Sequence, residues 1–163
     1  MDLEKWNNAG HLNLDLLSHS GLETYPLALK KIGYHTCHIG KSHLYPHVPG
    51  RHLEECKSFM QRLGWDEVLE TTGPWATVRT DSIMTDHWRR IGCLKTSRND
   101  YLKRREVGPT KALWPSPMPE EEHLDAFIGR LAVEYLSNYN RKEPFLLFVG
   151  FGGPYPPFDP PPS

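Results

Sequence analysis

The segment Gly33-Tyr34-His35-Thr36-Cys37-His38-Ile39-Gly40-Lys41-Ser42-His43 gathers three histidines, a cysteine, a lysine and two glycines into eleven residues. Imidazole and thiolate are zinc ligands, a lysine beside a glycine turn neutralises a phosphate or sulfate, and histidine carries protons near neutral pH. A second loop with polar character, Gly152-Gly153-Pro154-Tyr155, follows a long apolar run late in the chain.

Spacing separates these chemistries. Gly40-Lys41-Ser42 matches the end of a phosphate loop of the Walker type, but six residues separate Gly33 from Gly40 and a strand-like run falls inside that interval instead of before it. For zinc, His35 and Cys37 share one face of a strand, with His43 and His47 further on. A structural zinc site wants a closed tetrahedral set on short knuckles, which this spacing does not supply. His35, Cys37 and His38 are therefore read as strand residues packed between a helix and a sheet. Lys41 and His43 differ, because a glycine-initiated loop beyond a buried strand places them to meet an anion. The ammonium is the point charge there and the imidazole the proton carrier.

The elements that position these residues follow from local pattern. Thr24 can cap a short helix with Pro26 in its first turn and Gly33 as its stop. Tyr34 to Ile39 lacks a helical period and ends at Gly40, which predicts a buried strand. Leu53, Cys56, Phe59, Met60 and Leu63 recur at helical intervals up to Gly64, and Trp65 to Glu70 reads as another strand. Residues 71–117 are broken by Gly and Pro, with helical candidates at Ser82 to Ile91 and Arg98 to Glu106, and read as an irregular insertion over a sheet. From Pro119 the three glutamates favour a helix start, and Leu124, Phe127, Ile128, Leu131, Ala132, Tyr135 and Leu136 form its apolar stripe. The run PFLLFVGF predicts a strand covered on both faces of a parallel sheet. Helix, buried strand and glycine loop thus occur twice, so the fold class is α/β. In such sheets ligands bind beyond the carboxyl ends of the strands. Lys41, His43 and Tyr155 should face one cleft.

Bulk properties narrow the partners. At 163 residues, with 38% hydrophobic and 24% charged residues, the chain is long enough to bury a core. A net charge of -1 leaves no basic surplus for a nucleic-acid backbone, and Lys103-Arg104-Arg105 reads as a solvated helix face. No apolar run is long enough for a membrane span, and no export signal is visible. Cys37, Cys56 and Cys93 form neither a disulfide framework nor a metal knuckle and leave the compartment open.

Taken together, Gly33, Tyr34, Thr36, Gly40, Lys41 and His43 form the pattern G-Y-x-T-x-x-x-G-K-x-H. That pattern, following a helix, resembles the second signature of the sulfatase family. The stretch PFLLFVGFGGPYPPFDPP is similar to that family's strand and loop reading roughly PFFLFVSFxGPHxPF. LGWDEVLETTGPW resembles the segment after the signature, and matches scatter from about Leu22 to Pro162.

The resemblance implies an alkaline-phosphatase-like, mostly parallel sheet with helices on both faces, and hydrolysis of sulfate esters. The family's nucleophile is a formylglycine hydrate made from a cysteine or serine in Cys-x-Pro-x-Arg, beside a divalent cation, usually calcium. By position Lys41 resembles the lysine bridging the formylglycine and the sulfate. His43 resembles the histidine that hydrogen-bonds the formylglycine hydroxyl and helps collapse the sulfated intermediate. Tyr155 stands where the family has histidine in Pro-His-x-Pro, and a phenol with a pKa near 10 suits sulfate binding better than proton transfer. None of the three cysteines opens Cys-x-Pro-x-Arg: Cys37 precedes HIGK, Cys56 precedes KSFM and Cys93 precedes LKTS. The family's paired N-terminal aspartates and its later Asp-Asn or Asp-His pair with its lysine have no counterpart either.

Residues 1–163 are therefore expected to be an incomplete, internal part of a sulfatase catalytic domain. Residues 24–43 would form the helix, strand and GKSH loop, and 119–163 the helix, strand and GGPYPP loop. The chain itself would carry no metal or cofactor, calcium and formylglycine belonging to an intact relative that acts on a sulfate-ester small molecule or glycan. A scaffold that binds and no longer catalyses is the other reading. Intact relatives are usually exported. A sheet lacking its first strand would expose an edge that invites self-association.

Overall fold

A computed structural model describes residues 23–42, 44–45, 47–108 and 110–161. Helix α1 (Tyr25–Lys31) starts as its sequence dictates: Thr24 is extended, its side chain accepts from the Leu27 amide, and Pro26 sits in the first turn. Strand β1 (His35–Gly40) follows. A 3-10 turn at Leu53–Cys56 and helix α2 (Lys57–Arg62) lead to strand β2 (Glu67–Glu70). Helices α3 (Pro74–Thr77), α4 (Ile83–Arg90) and α5 (Leu94–Val107) come next. A 3-10 turn at Glu120–Glu122, helix α6 (Leu124–Asn138) and strand β3 (Phe145–Gly150) complete the order.

The three strands form one parallel sheet in the order β2-β1-β3. Register runs from His35 opposite Phe145 to Gly40 opposite Gly150 on one side, and from Cys37 opposite Glu67 to Gly40 opposite Glu70 on the other. The protein is thus α/β, with the GKS segment at the carboxyl end of the central strand. Alternation sorts the side chains into two layers. Cys37 and Ile39 join Leu69, Leu147 and Val149 against Met84 and Trp88 of α4 and Phe127, Ile128 and Ala132 of α6. On the opposite face Val68 and Leu146 meet Tyr45, Phe59, Met60, Leu63 and Trp65. Each such apolar side chain fully buried contributes about 1.5–3 kcal/mol, so packing of β1 from both sides is what anchors the loop after it. Among the described residues no helix is long and apolar enough to cross a membrane.

Four expectations are corrected. The PFLLFVGF strand is not covered throughout: β3 ends the sheet, and Phe145 and Phe148 are 40% and 36% exposed. An apolar run reports an affinity for burial, whereas position within the sheet decides how much is granted. The helix expected from Pro119 begins at Leu124, because Glu120–Glu122 make a separate 3-10 turn and His123, at ψ 147°, breaks the helical path. The stripe on α6 also stops short, since Leu136 is largely exposed. Helix α5, finally, starts at Leu94, one turn before the expected Arg98.

Candidate functional site

The carboxyl ends of β1 and β3 are drawn together by two glycines. Lys41 N donates to Gly150 O at 2.8 Å. A Cβ on Gly40 would stand 2.2 Å from Gly150 O, and one on Gly150 would stand 2.2 Å from Lys41 O. Gly40 also has φ 91°, a conformation that side chains resist. Only glycine at both positions lets the two loops touch.

Lys41 leaves β1 at this crossing, and its Nζ lies 4.7 Å from the centre of the Tyr155 ring, in cation-π contact. The rest of its path is walled by Gly73, where a Cβ would come within 3.1 Å of Nζ. No carboxylate among the described residues pairs with the ammonium, and burial pushes its pKa below the usual lysine range. A half-buried cation without a counter-ion favours binding an anion.

On the β2 side Glu70 is buried and accepts hydrogen bonds from Ser42 Oγ and Tyr45 Oη. Burial raises its carboxyl pKa, although both hydroxyls pull the other way. Burial and then the neighbouring Glu70 push the Tyr45 phenol far up, so it stays a donor. Glu70 thereby ties Ser42, the residue after Lys41, to the end of β2.

The Tyr155 loop is held from its other side. Asp125, in the first turn of α6, accepts from the amides of Gly152 at 2.7 Å and Gly153 at 3.1 Å. Tyr101 Oη donates to Asp159 Oδ2 at 2.8 Å, and Ser116 N donates to Pro160 O at 2.8 Å. His123 Nε2 is 2.9 Å from Asp159 O, and its hydrogen bond to Asp159 raises its pKa.

Of the residues singled out by sequence, Lys41 and Tyr155 are brought together, and His43 lies outside the described residues. His35 is at the opposite end of β1, its Nε2 2.7 Å from Glu67 Oε1. Cys37 is fully buried, and burial together with the charge of Glu67 pushes its thiol pKa up to about 12, so it remains protonated. His38 stacks on Phe148 at 4.9 Å with Trp65 edge-on at 5.3 Å, and burial lowers its pKa to about 4. It is a neutral core residue. Among the described residues no three His, Cys, Asp or Glu side chains are grouped to hold a metal ion.

Ser42, Glu70, Gly73 and Asp125 were not anticipated from the sequence. Glu70 gave one signal, a carboxylate at the last position of a strand just before Thr71-Thr72-Gly73. Asp125 gave none, because its partners are loop amides 27 and 28 residues away.

No family model matches the chain, and neither a curated protein nor a solved structure matches it. What the arrangement can do is hold a tetrahedral anion. The ammonium supplies charge and the Tyr155 phenol a donor, and the glycine crossing fixes the distance between their loops.

Proposed function

We propose that this chain carries the sulfate-binding part of a sulfatase-family domain with an alkaline-phosphatase-like fold, whose intact form hydrolyses sulfate esters. The observation that supports it is the meeting of the Lys41 ammonium, which pairs with no carboxylate among the described residues, with Tyr155 beyond the carboxyl ends of neighbouring parallel strands. On this reading Lys41 neutralises the sulfate oxygens, where charge collects as the ester bond breaks. His43 carries a proton, and the Tyr155 phenol donates to a sulfate oxygen.

The described residues do not fit the family's calcium. That ion takes about six to eight oxygen ligands, and Glu70, the buried carboxylate of this site, already accepts from two hydroxyls. Nor does any cysteine stand in Cys-x-Pro-x-Arg. Without a nucleophile, positioning groups leave only residual catalysis. The chain alone therefore binds a sulfate ester and does not turn it over.

The test is to give the purified chain 4-nitrophenyl sulfate with calcium present. Expected are saturable binding, its loss in Lys41→Ala, and no release of nitrophenol. Turnover at about 1 per second or faster, surviving Lys41→Ala, would overturn the proposal. A second reading, a scaffold that binds sulfate esters and has left catalysis behind, is favoured by Tyr155 in place of the family's histidine. An in-frame Cys-x-Pro-x-Arg in the genomic DNA upstream of Met1 supports the first reading, and its absence the second.

A further inference from the structure

Polar contacts, more than apolar burial, hold the Tyr155 loop in place. Phe151, Tyr155 and Phe158 are 52%, 52% and 43% exposed, so its aromatic side chains bury little. A segment held in this way opens more readily than a core does. Asp125 fixes the start of the loop through the Gly152 and Gly153 amides. The end is fixed at Asp159, where Tyr101 Oη reaches Oδ2 and His123 Nε2 reaches the carbonyl, and at Pro160 O, which accepts from the Ser116 amide.

One of these anchors changes its charge near neutral pH. His123 stands between the 3-10 turn and α6, and its Nε2 is 3.7 Å from Asp159 Oδ2. The hydrogen bond to Asp159 raises its pKa against the effect of burial, and the charges of Asp159 and Asp125 add to the rise. Neighbouring groups on the other elements are engaged. Glu122, the residue before it, pairs with His87 and Arg130. On α5 Tyr101 is kept protonated by burial and by Asp159, and Arg104 Nη1 donates to Phe158 O at 3.5 Å. A neutral His123 ring can keep its bond to the Asp159 carbonyl. What it loses is the attraction of the Asp159 and Asp125 carboxylates.

We infer that His123 is a proton-controlled clasp for the anion site: its imidazolium on Asp159 keeps the loop docked with Tyr155 over Lys41, and loss of the proton loosens that docking. The clasp rests on the reading of Lys41 and Tyr155 as a sulfate site and adds to it a control by pH. His123 positions Tyr155 and touches no substrate. Because its pKa is raised in the docked loop, its contribution is complete below the ordinary histidine value of about 6.5 and is lost as pH rises through the docked value. Bound sulfate acts in the same direction, since an anion that needs both Lys41 and Tyr155 binds only the docked loop.

The experiment follows amide hydrogen exchange of the full chain by NMR, corrected for intrinsic rates, across the histidine titration range with and without inorganic sulfate. The Ser116, Gly152 and Gly153 amides report docking, because their hydrogen bonds tie the loop to its surroundings, and the amides of β1 report the sheet. The variants are His123→Gln, which keeps a donor without the charge, Asp159→Asn, which keeps an acceptor for Tyr101, and Lys41→Ala. In the parent chain Ser116 protection should fall roughly two- to fivefold as His123 loses its proton, the range of a partly exposed ion pair, while β1 protection holds. His123→Gln and Asp159→Asn should both remove this step, and in Asp159→Asn the His123 ring should titrate lower. Sulfate at about ten times its dissociation constant should raise Ser116 protection about tenfold, but not in Lys41→Ala. Protection without a pH step, or a step that His123→Gln keeps in full, would overturn the clasp and leave Lys41 as a sulfate site. An ordinary titration of the His123 ring in the parent chain would overturn the clasp without any variant. A step of the expected sign with no response to sulfate would overturn the Lys41 reading and, with it, the control of binding.

Discussion

The two ends of the β1 strand treat charge in opposite ways. At the amino end His35 lies between Glu67 and Asp66, and Asp66 also accepts from the Thr36 amide at 3.0 Å, the Thr36 hydroxyl at 3.0 Å and the Lys30 ammonium. Those charged groups all have partners. At the carboxyl end Lys41 has an aromatic face and no carboxylate among the described residues, and Glu70 is met by neutral donors, the hydroxyls of Ser42 and Tyr45 and the Ser42 backbone. The amino end is built to hold the fold together. The carboxyl end keeps a partly desolvated cation that the fold tolerates and a ligand would stabilise, the pattern expected of a site whose function is set against stability.

Substitutions can break that comparison, beginning with the crossing that builds the carboxyl end. Gly40→Ala places a methyl 2.2 Å from Gly150 O at φ 91°, against backbone that cannot yield. The expected loss is about 3 kcal/mol or more, seen as an earlier denaturant midpoint, together with loss of sulfate binding. At the amino end Thr36→Val removes a fully buried hydroxyl that donates to Gly64 O at 2.6 Å and accepts from Asp66 N at 3.0 Å. It should cost about 2 kcal/mol and leave sulfate affinity unchanged. Equal effects of the two substitutions on binding would mean that the ends are not separate.

The pH dependence should have opposite signs at the two ends. Burial raises the Asp66 pKa, but the hydrogen bonds from Lys30 and Thr36 outweigh it, so the folded value lies below the unfolded one. Its contribution is present above about pH 4 and is lost as pH falls through the folded pKa. Asp66→Asn should therefore cost about 1 kcal/mol at neutral pH, a figure kept small by solvent screening, and nothing in strong acid. Glu70 is raised by burial despite Ser42 and Tyr45, so its ionised form is a penalty above the folded pKa. That penalty is relieved as pH falls through the folded pKa toward the unfolded value of about 4.3. Glu70→Gln should gain up to about 1 kcal/mol at pH 8 and lose the advantage near pH 4. Urea titrations of both variants across this range check the signs, and two curves of the same sign would contradict the contrast.

The smallest effect on stability belongs to Lys41. Replacing it by Met keeps the aliphatic stem and removes a desolvated charge, so stability should hold or rise by up to about 1 kcal/mol while sulfate binding disappears. A clear loss of stability would make Lys41 a structural residue.

Local chemistry explains which parts were legible in the sequence. Thr24, Pro26 and Gly33 act within one helix, and Thr36 to Gly40 are buried together, so α1 and β1 stand close to where the residue pattern places them. The exposure of Phe145 and Phe148 depends on strand order, which no local pattern encodes. The role of Glu70 depends on Ser42 and Tyr45 folding back across 28 and 25 residues. Lys41 was legible because a lysine directly after a strand-ending glycine has few other places to go. Its meeting with Tyr155 required the register that sets Gly40 opposite Gly150.

The most direct measurement follows the Lys41 side chain itself. Carbon NMR at the lysine Cε, assigned by comparison with Lys41→Met and titrated in pH with and without sulfate, reports the protonation of one ammonium. Lys41 should titrate below the ordinary lysine value of about 10.4 and move upward when sulfate is added, because a bound anion favours the charged form. Lys30, already held by Asp66, should not respond. An ordinary Lys41 titration that sulfate leaves unmoved would contradict an anion site at the carboxyl end of this sheet.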